Sequence, residues 1–164
     1  MCCLRKGNNQ TSFFEENGLT VTINTECYLQ VLAKFYEQLM KDYPNEYRRM
    51  WFQQDGATPH TSNDSLHWLR ERFQKRIVSR KSAIQWPPHS PDLSPPDFFL
   101  WGYLKDRIYI NNPKTLPQLK KNITDVIKGI QKPVLKSVMQ NFALRLKNVV
   151  DHKGSHIEHV LKKN

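Results

Sequence analysis

Up to about residue 109 the chain alternates short β-type runs with amphipathic helical stripes, and beyond that only helical stripes remain. Each strand and each helix has one apolar face to bury. This order therefore predicts an α/β fold, a sheet with helices packed on it, followed by a helical C-terminal extension. Leu19, Val21 and Ile23 alternate with threonines after the turn pair Asn17-Gly18, and Phe13 to Glu16 supply the partner strand. Asn24 or Thr25 caps a helix reaching about Met40, whose Tyr28, Leu32, Phe35, Tyr36 and Leu39 share one face. Arg49 to Gln54 reads as a buried strand whose end projects Asp55. Thr61 and Asp64 resemble a capping box for a helix from about Ser62 to Phe73. Ile77-Val78 and Ala83 to Trp86 are further short strands. The prolines of Pro87-Pro88-His89-Ser90-Pro91 demand extended loop. Pro95 and Pro96 suit the first turn of a helix running to about Tyr109, which places Asp97 near its start. Two amphipathic helices follow, over 116–130 and 134–150.

Residues 1–110 are thus expected to form the core and residues 111–164 a basic helical extension packed on it. No apolar run approaches the ~20 residues of a membrane helix, and Met1 to Gln10 contain no apolar segment of a secretory signal. Cys2, Cys3 and Cys27 form no C-x-x-C pair, so reduced thiols and an intracellular compartment are expected.

Charge narrows the function further. The chain of 164 residues carries a net charge of +10, which favours a polyanionic partner such as nucleic acid as well as simple solubility. Residues 111–164 hold 11 Lys and Arg against 3 Asp and Glu, whereas residues 1–110 hold 14 against 12. A second concentration is Arg70, Arg72, Lys75, Arg76, Arg80 and Lys81, six cations within twelve residues opposed only by Glu71. Such a cluster suits DNA phosphates, and it equally suits a solvated helix end and loop.

Enzymes that cut nucleic acid commonly hold two divalent metals with a few carboxylates. One cation activates the attacking oxygen and the other stabilises the leaving oxygen. The chemistry needs carboxylates on rigid elements, converging from distant parts of the chain. Asp55 at a strand end and Asp97 at a helix start meet that demand. By residue type alone, a plain Asp-Gly turn for Asp55 and a carboxylate complementing a helix dipole for Asp97 are the favoured readings.

The words around these two aspartates are more specific. Trp51-Phe52-Gln53-Gln54-Asp55-Gly56-Ala57-Thr58-Pro59-His60 resembles the block around the second catalytic Asp of mariner/Tc1-type DDE/D transposases. The run from Trp86 to Gly102, containing Pro87-Pro88-His89-Ser90-Pro91-Asp92-Leu93-Ser94-Pro95-Pro96-Asp97, resembles the block carrying the third acid. In that family the third acid is Glu or Asp, and here it is Asp97. The two aspartates are separated by 41 residues, longer than in familiar mariner members, with the extra length in the basic stretch 70–81. The resemblance extends over about residues 13–163.

It implies a ribonuclease-H-like mixed sheet of up to five strands flanked by helices, lacking the first strand or strands. It also implies Asp55 and Asp97 as catalytic and metal-binding residues, Mg²⁺ or Mn²⁺ as cofactor, and DNA as partner. A homodimer and a nuclear location follow from the same likeness. The family's first catalytic Asp lies upstream of the matched region, and this sequence has no Asp before Asp42. A truncated catalytic domain, inactive alone in strand cleavage and transfer, is therefore expected. The alternative is a non-catalytic nucleic-acid-binding remnant or domesticated protein.

Four weaker signals complete the reading. His60 is expected to hydrogen-bond the loop backbone, with a water-orienting role as the alternative. Asp92 is expected to form a turn. Trp86 and Trp101 are expected to pack in the core rather than stack on bases. His152, His156 and His159 have a spacing that could suit zinc, but Gly154 interrupts the helix and no cysteines assist.

Overall fold

The computed structural model describes residues 2–3, 10–11, 15–16, 19–20, 22–154 and 157, and for those before residue 22 it describes backbone pairing. The chain divides into two compact units, Ser12–His89 and Met1–Thr11 with Ser90–Asn164.

The Ser12–His89 unit begins with an antiparallel pair, β3 (Glu15–Glu16) and β4 (Leu19–Thr20), in the register Glu15 with Thr20 and Glu16 with Leu19. This is the hairpin predicted from the alternation. Its Asn17-Gly18 turn lies outside the described residues. Asn24 then caps α1 (Thr25–Asp42), its side chain accepting the Cys27 N–H at 2.8 Å. The cap satisfies one of the donors that every helix start leaves open.

Tyr28, Leu32 and Leu39 of α1 are buried against Phe52, Leu69, Phe73 and Ile77, with Phe35, Tyr36 and Trp68 packed around them. Aromatic edges meet faces in this core: Tyr36 lies edge-on to Tyr47, Trp68 and Phe73, with centroids 5.7–6.1 Å apart. Such pairs contribute roughly 0.5–1.5 kcal/mol beyond the area they bury.

Three local expectations are corrected. The run 49–54 is not a strand buried on both faces: Tyr47–Arg49 form a 3-10 turn, and only β5 (Phe52–Gln53) is strand. Phe52 and Gln54 are buried whereas Trp51 and Asp55 are exposed, the period-2 alternation of a strand covered on one face. The helix after it, α2 (Asn63–Phe73), takes Ser62 rather than Thr61 as its cap. Ser62 Oγ accepts the Ser65 N–H at 3.2 Å, while the Thr61 hydroxyl donates to the Ala57 carbonyl at 3.3 Å inside a 3-10 turn, Thr58–Thr61. Finally, β6 (Ile77–Val78) pairs in parallel with β5, Phe52 with Ile77 and Gln53 with Val78, but the 83–86 run contributes one bridge, Val78 with Ile84. Around that bridge the Ser79 N–H donates to the Ile84 carbonyl at 3.2 Å and the Trp86 N–H to the Ser79 carbonyl at 3.1 Å, while Ser82 Oγ accepts the Ser79 N–H at 2.9 Å and lies within donating reach of the carbonyls of Ile77, Ser79 and Ile84.

The other unit contains the antiparallel pair β1 (Cys2–Cys3) and β2 (Gln10–Thr11) and three helices, α3 (Trp101–Ile108), α4 (Leu116–Lys128) and α5 (Lys132–Asp151). Leu100, Leu104, Ile108, Ile127, Ile130 and Leu135 form its buried core, whereas Leu116, Met139 and Leu146 of the two amphipathic helices are exposed. Trp86 is buried as expected, but Trp101 is about half exposed, at 49%. The described strands pair two by two, in both parallel and antiparallel sense, and helix dominates.

Candidate functional site

Asp55 lies two residues beyond the end of β5, and its neighbour Gln54 anchors it. Gln54 N–H donates to the Val78 carbonyl at 3.0 Å, which prolongs the β5–β6 ladder by one residue. The Gln54 side chain is buried and joins four parts of the unit. Its Oε1 accepts the Tyr28 hydroxyl of α1 at 2.6 Å, and its Nε2 donates to the His60 carbonyl at 2.7 Å and to Ser79 Oγ at 3.0 Å. A buried amide is tolerated only when its donors and acceptor are used, as they are here. Burial first, and the nearby Asp55 carboxylate second, push the Tyr28 phenol well above its ordinary value near 10.

The Asp55 side chain is 57% exposed and turns back over the loop that follows. Its Oδ1 accepts the Ala57 N–H at 3.0 Å, the Asx turn expected of Asp-Gly, and lies 2.6 Å from His60 Nδ1. His60 therefore bonds a carboxylate through its ring, not the loop backbone as expected from sequence. The imidazole is stacked against the Tyr28 ring, centroids 4.3 Å apart.

Asp97 lies in the other unit, at the second residue of a π turn, Pro96–Leu100, that leads into α3. Single π turns recur at functional sites. Its N–H donates to the Ser94 carbonyl at 2.9 Å, and the residue is exposed while Leu100, three residues on, is fully buried. Among the described residues its carboxylate has no hydrogen bond or ion pair.

The segment before Asp97 is held from α5. Asp92 is not merely a turn former: it is 4% exposed, and its Oδ2 accepts the Ile157 N–H at 3.2 Å. Arg145 of α5 donates to the Asp92 carbonyl at 3.0 Å and to Asn141 Oδ1 at 2.7 Å, and its guanidinium lies 4.3 Å from the Phe98 ring centroid. Neither the role of Arg145 nor that of Asp92 was readable from the sequence, because the partners are 53 and 65 residues apart.

The basic cluster separates into distinct environments. Arg72 stacks on Trp68 at 3.8 Å and donates to the Trp68 carbonyl and to Glu71, both at 3.1 Å. Arg76 donates to the Met50 carbonyl at 3.3 Å. Arg70 reaches the Lys81 carbonyl at 3.3 Å, and Lys81 reaches the Thr61 carbonyl at 3.2 Å. Lys75 and Arg80 are exposed, and the Arg80 stem lies against Gly56: a β-carbon there would be 3.1 Å from Arg80 Cδ. Arg80 and Lys81 are thus the cluster members that flank the loop carrying Asp55. His152 Nδ1 bonds the Asn148 carbonyl at 2.8 Å, and His156 and His159 lie outside the described residues. No group of three or more His, Cys, Asp or Glu converges among the described residues.

The geometry can be set beside known proteins. The chain is 33% identical over 140 residues to the transposable element Tc3 transposase of Caenorhabditis elegans, covering 84% of this chain and 39% of that protein. The fold matches the Mos1 transposase catalytic domain, solved with raltegravir and Mg, at a TM-score of 0.70 and 21% identity, covering 84% of this chain and 67% of that one. The same domain solved with raltegravir and Mn matches equally well. No family model matches the chain.

The fold these observations define is that of a ribonuclease-H-like catalytic domain, with the two acidic blocks of the sequence on its strand-end and helix-start positions. Within that class the chain is similar to the mariner/Tc1-type transposases, in sequence to the Tc3 transposase and in fold to the Mos1 catalytic domain. It spans about two fifths of the length of the curated relative it matches.

Proposed function

We propose that this chain provides Asp55 and Asp97 as carboxylate ligands for divalent cations in transposase-type DNA phosphoryl transfer. The observation that carries the reading is that both carboxylates are exposed at the ends of ordered elements. Both described bonds to Asp55 fall on Oδ1, and among the described residues nothing bonds the Asp97 carboxylate. Hard oxygen donors with an open side fit Mg²⁺ or Mn²⁺, which keep waters and substrate phosphates in their shell. When bound, such cations supply the charge that activates the attacking oxygen and stabilises the leaving one.

The residues of this chain hold the ligands in place. Gln54 and the β5–β6 ladder fix the stem of Asp55, and the Pro96–Leu100 turn with buried Leu100 fixes that of Asp97. Two carboxylates are fewer than the three the family resemblance calls for. The 164 residues by themselves should therefore bind Mg²⁺ or Mn²⁺ weakly and carry out no strand transfer. DNA is the substrate and partner in this reading, the nucleus its place of action, and a homodimer its assembly. Residues 1–110 serve as catalytic core and 111–164 as a basic extension.

The test measures Mn²⁺ binding by water-proton relaxation for the unaltered chain, Asp55→Asn and Asp97→Asn. Each substitution should weaken binding, and unchanged binding in both would overturn the ligand assignment. A plasmid-nicking assay in Mn²⁺ decides activity: cleavage lost in Asp55→Ala would show that the two carboxylates suffice.

A second reading, a non-catalytic DNA-binding protein, is favoured by the 11 basic against 3 acidic residues of the tail. Binding to random duplex DNA that falls steeply with salt, in a chain that neither binds Mn²⁺ nor cuts, would select it.

A further inference from the structure

We propose that His60 is a positioning residue for Asp55: it holds Oδ1 of the carboxylate so that Oδ2 alone is presented to a divalent cation. The proposal rests on the metal-ligand reading of Asp55 and adds the residue that aims it.

Oδ1 is the crowded oxygen. The Ala57 N–H donates to it at 3.0 Å, and His60 Nδ1 lies 2.6 Å away. An ionised carboxylate only accepts, so Nδ1 carries the proton and donates. The two donors saturate one side of the carboxylate and fix its rotation. Among the described residues neither donor reaches Oδ2, which leaves that oxygen for a single-point contact with a hard cation.

The donor is held more firmly than the ligand it holds. The His60 side chain is 25% exposed against 57% for Asp55. One ring contact is to Tyr28, itself 2% exposed, at a centroid distance of 4.3 Å. The backbone of His60 is tied at both polar groups: its N–H donates to the Ala57 carbonyl at 3.0 Å, and its carbonyl accepts Gln54 Nε2 at 2.7 Å. Tyr28 and Gln54 are joined in turn at 2.6 Å. The residue before the ligand and the residue that orients it therefore share one buried hydrogen-bonded frame. Outer partners of this kind set ligand orientation and are typically worth ten- to a hundredfold in metal affinity.

A loop-stabilising histidine would show the same contacts, so the test separates metal affinity from folding. In the full 164-residue chain, His60→Ala removes the donor. His60→Asn keeps an N–H the same number of bonds from Cβ as Nδ1. We expect His60→Ala to weaken Mn²⁺ binding by about tenfold in water-proton relaxation and His60→Asn to restore most of it. Adding His60→Ala to Asp55→Asn should change Mn²⁺ affinity no further. If both His60 variants lower the unfolding temperature yet bind Mn²⁺ like the unaltered chain, the residue is structural and the proposal is overturned. If Asp55→Asn itself leaves Mn²⁺ binding untouched, the ligand reading fails and takes this proposal with it. A measurement on the unaltered chain covers the case of variants that fail to fold. Long-range ¹H–¹⁵N spectra should show His60 protonated at Nδ1, and a ring bare at Nδ1 overturns the assignment.

Discussion

The Tyr28 hydroxyl donates to Gln54 Oε1 at 2.6 Å, in the core and one residue before Asp55. The bond joins helix α1 to the residue that follows strand β5, and burial of the same phenol, with the nearby Asp55 carboxylate, gives the unit a pH response. The phenol is held protonated above its ordinary value near 10. A folded-state value above the unfolded one means a stabilising contribution that is complete below about pH 10 and is lost as pH rises beyond it. Tyr28→Phe should lower stability by about 1–3 kcal/mol at neutral pH by stranding the Gln54 oxygen. It should also remove part of the decline in stability above pH 10. Urea unfolding at pH 7.5 and at pH 10.5 measures both, and an unchanged alkaline decline would refute the assignment.

Gln54→Leu keeps approximate size but abandons three partners, the Tyr28 hydroxyl, the His60 carbonyl and Ser79 Oγ. A loss of about 2–4 kcal/mol is expected. Because Tyr28→Phe strands the same bond, the double variant should lose less than the two single losses added. A double-mutant cycle in urea reads this coupling, and strict additivity would contradict the shared frame.

Arg145→Met retains an apolar stem but forfeits the bonds to the Asp92 carbonyl and Asn141 and the contact with the Phe98 ring. The expected loss is roughly 1–3 kcal/mol. Amide hydrogen exchange should rise first in residues 92–98, and protection unchanged there would deny α5 its hold on the segment before Asp97.

Within the basic cluster, the exposed Lys75 and Arg80 should carry DNA phosphate contacts. Lys75→Gln and Arg80→Gln are each expected to reduce the slope of log affinity against log salt by about 1. Arg72→Gln and Arg76→Gln should instead lower the unfolding temperature with the slope preserved, since Trp68, Glu71 and the Met50 carbonyl already engage those guanidinium groups. Fluorescence anisotropy with random duplex DNA at several salt concentrations distinguishes the two pairs.

Local pattern alone was enough for α1, α4, α5 and the α/β order, because each depends on spacing along one segment. Helix periodicity and the Asn24 cap are short-range matters of sterics and of donors left open at a helix start. Asp55 and Asp97 stand as candidates through the words around them, and the structure adds that both are exposed. What the tertiary structure decided is which polar groups meet. The period-2 burial of β5, the single bridge made by the 83–86 run, and the exposure of Trp101 all depend on neighbours. So do the grip of His60 on Asp55, the frame of Tyr28, Gln54 and Ser79, and the hold of Arg145 on the Asp92 segment. The physical reason is that a hydrogen bond in the core joins donors and acceptors by position in space. Separations of 25, 26 and 53 residues leave no periodic trace in a sequence.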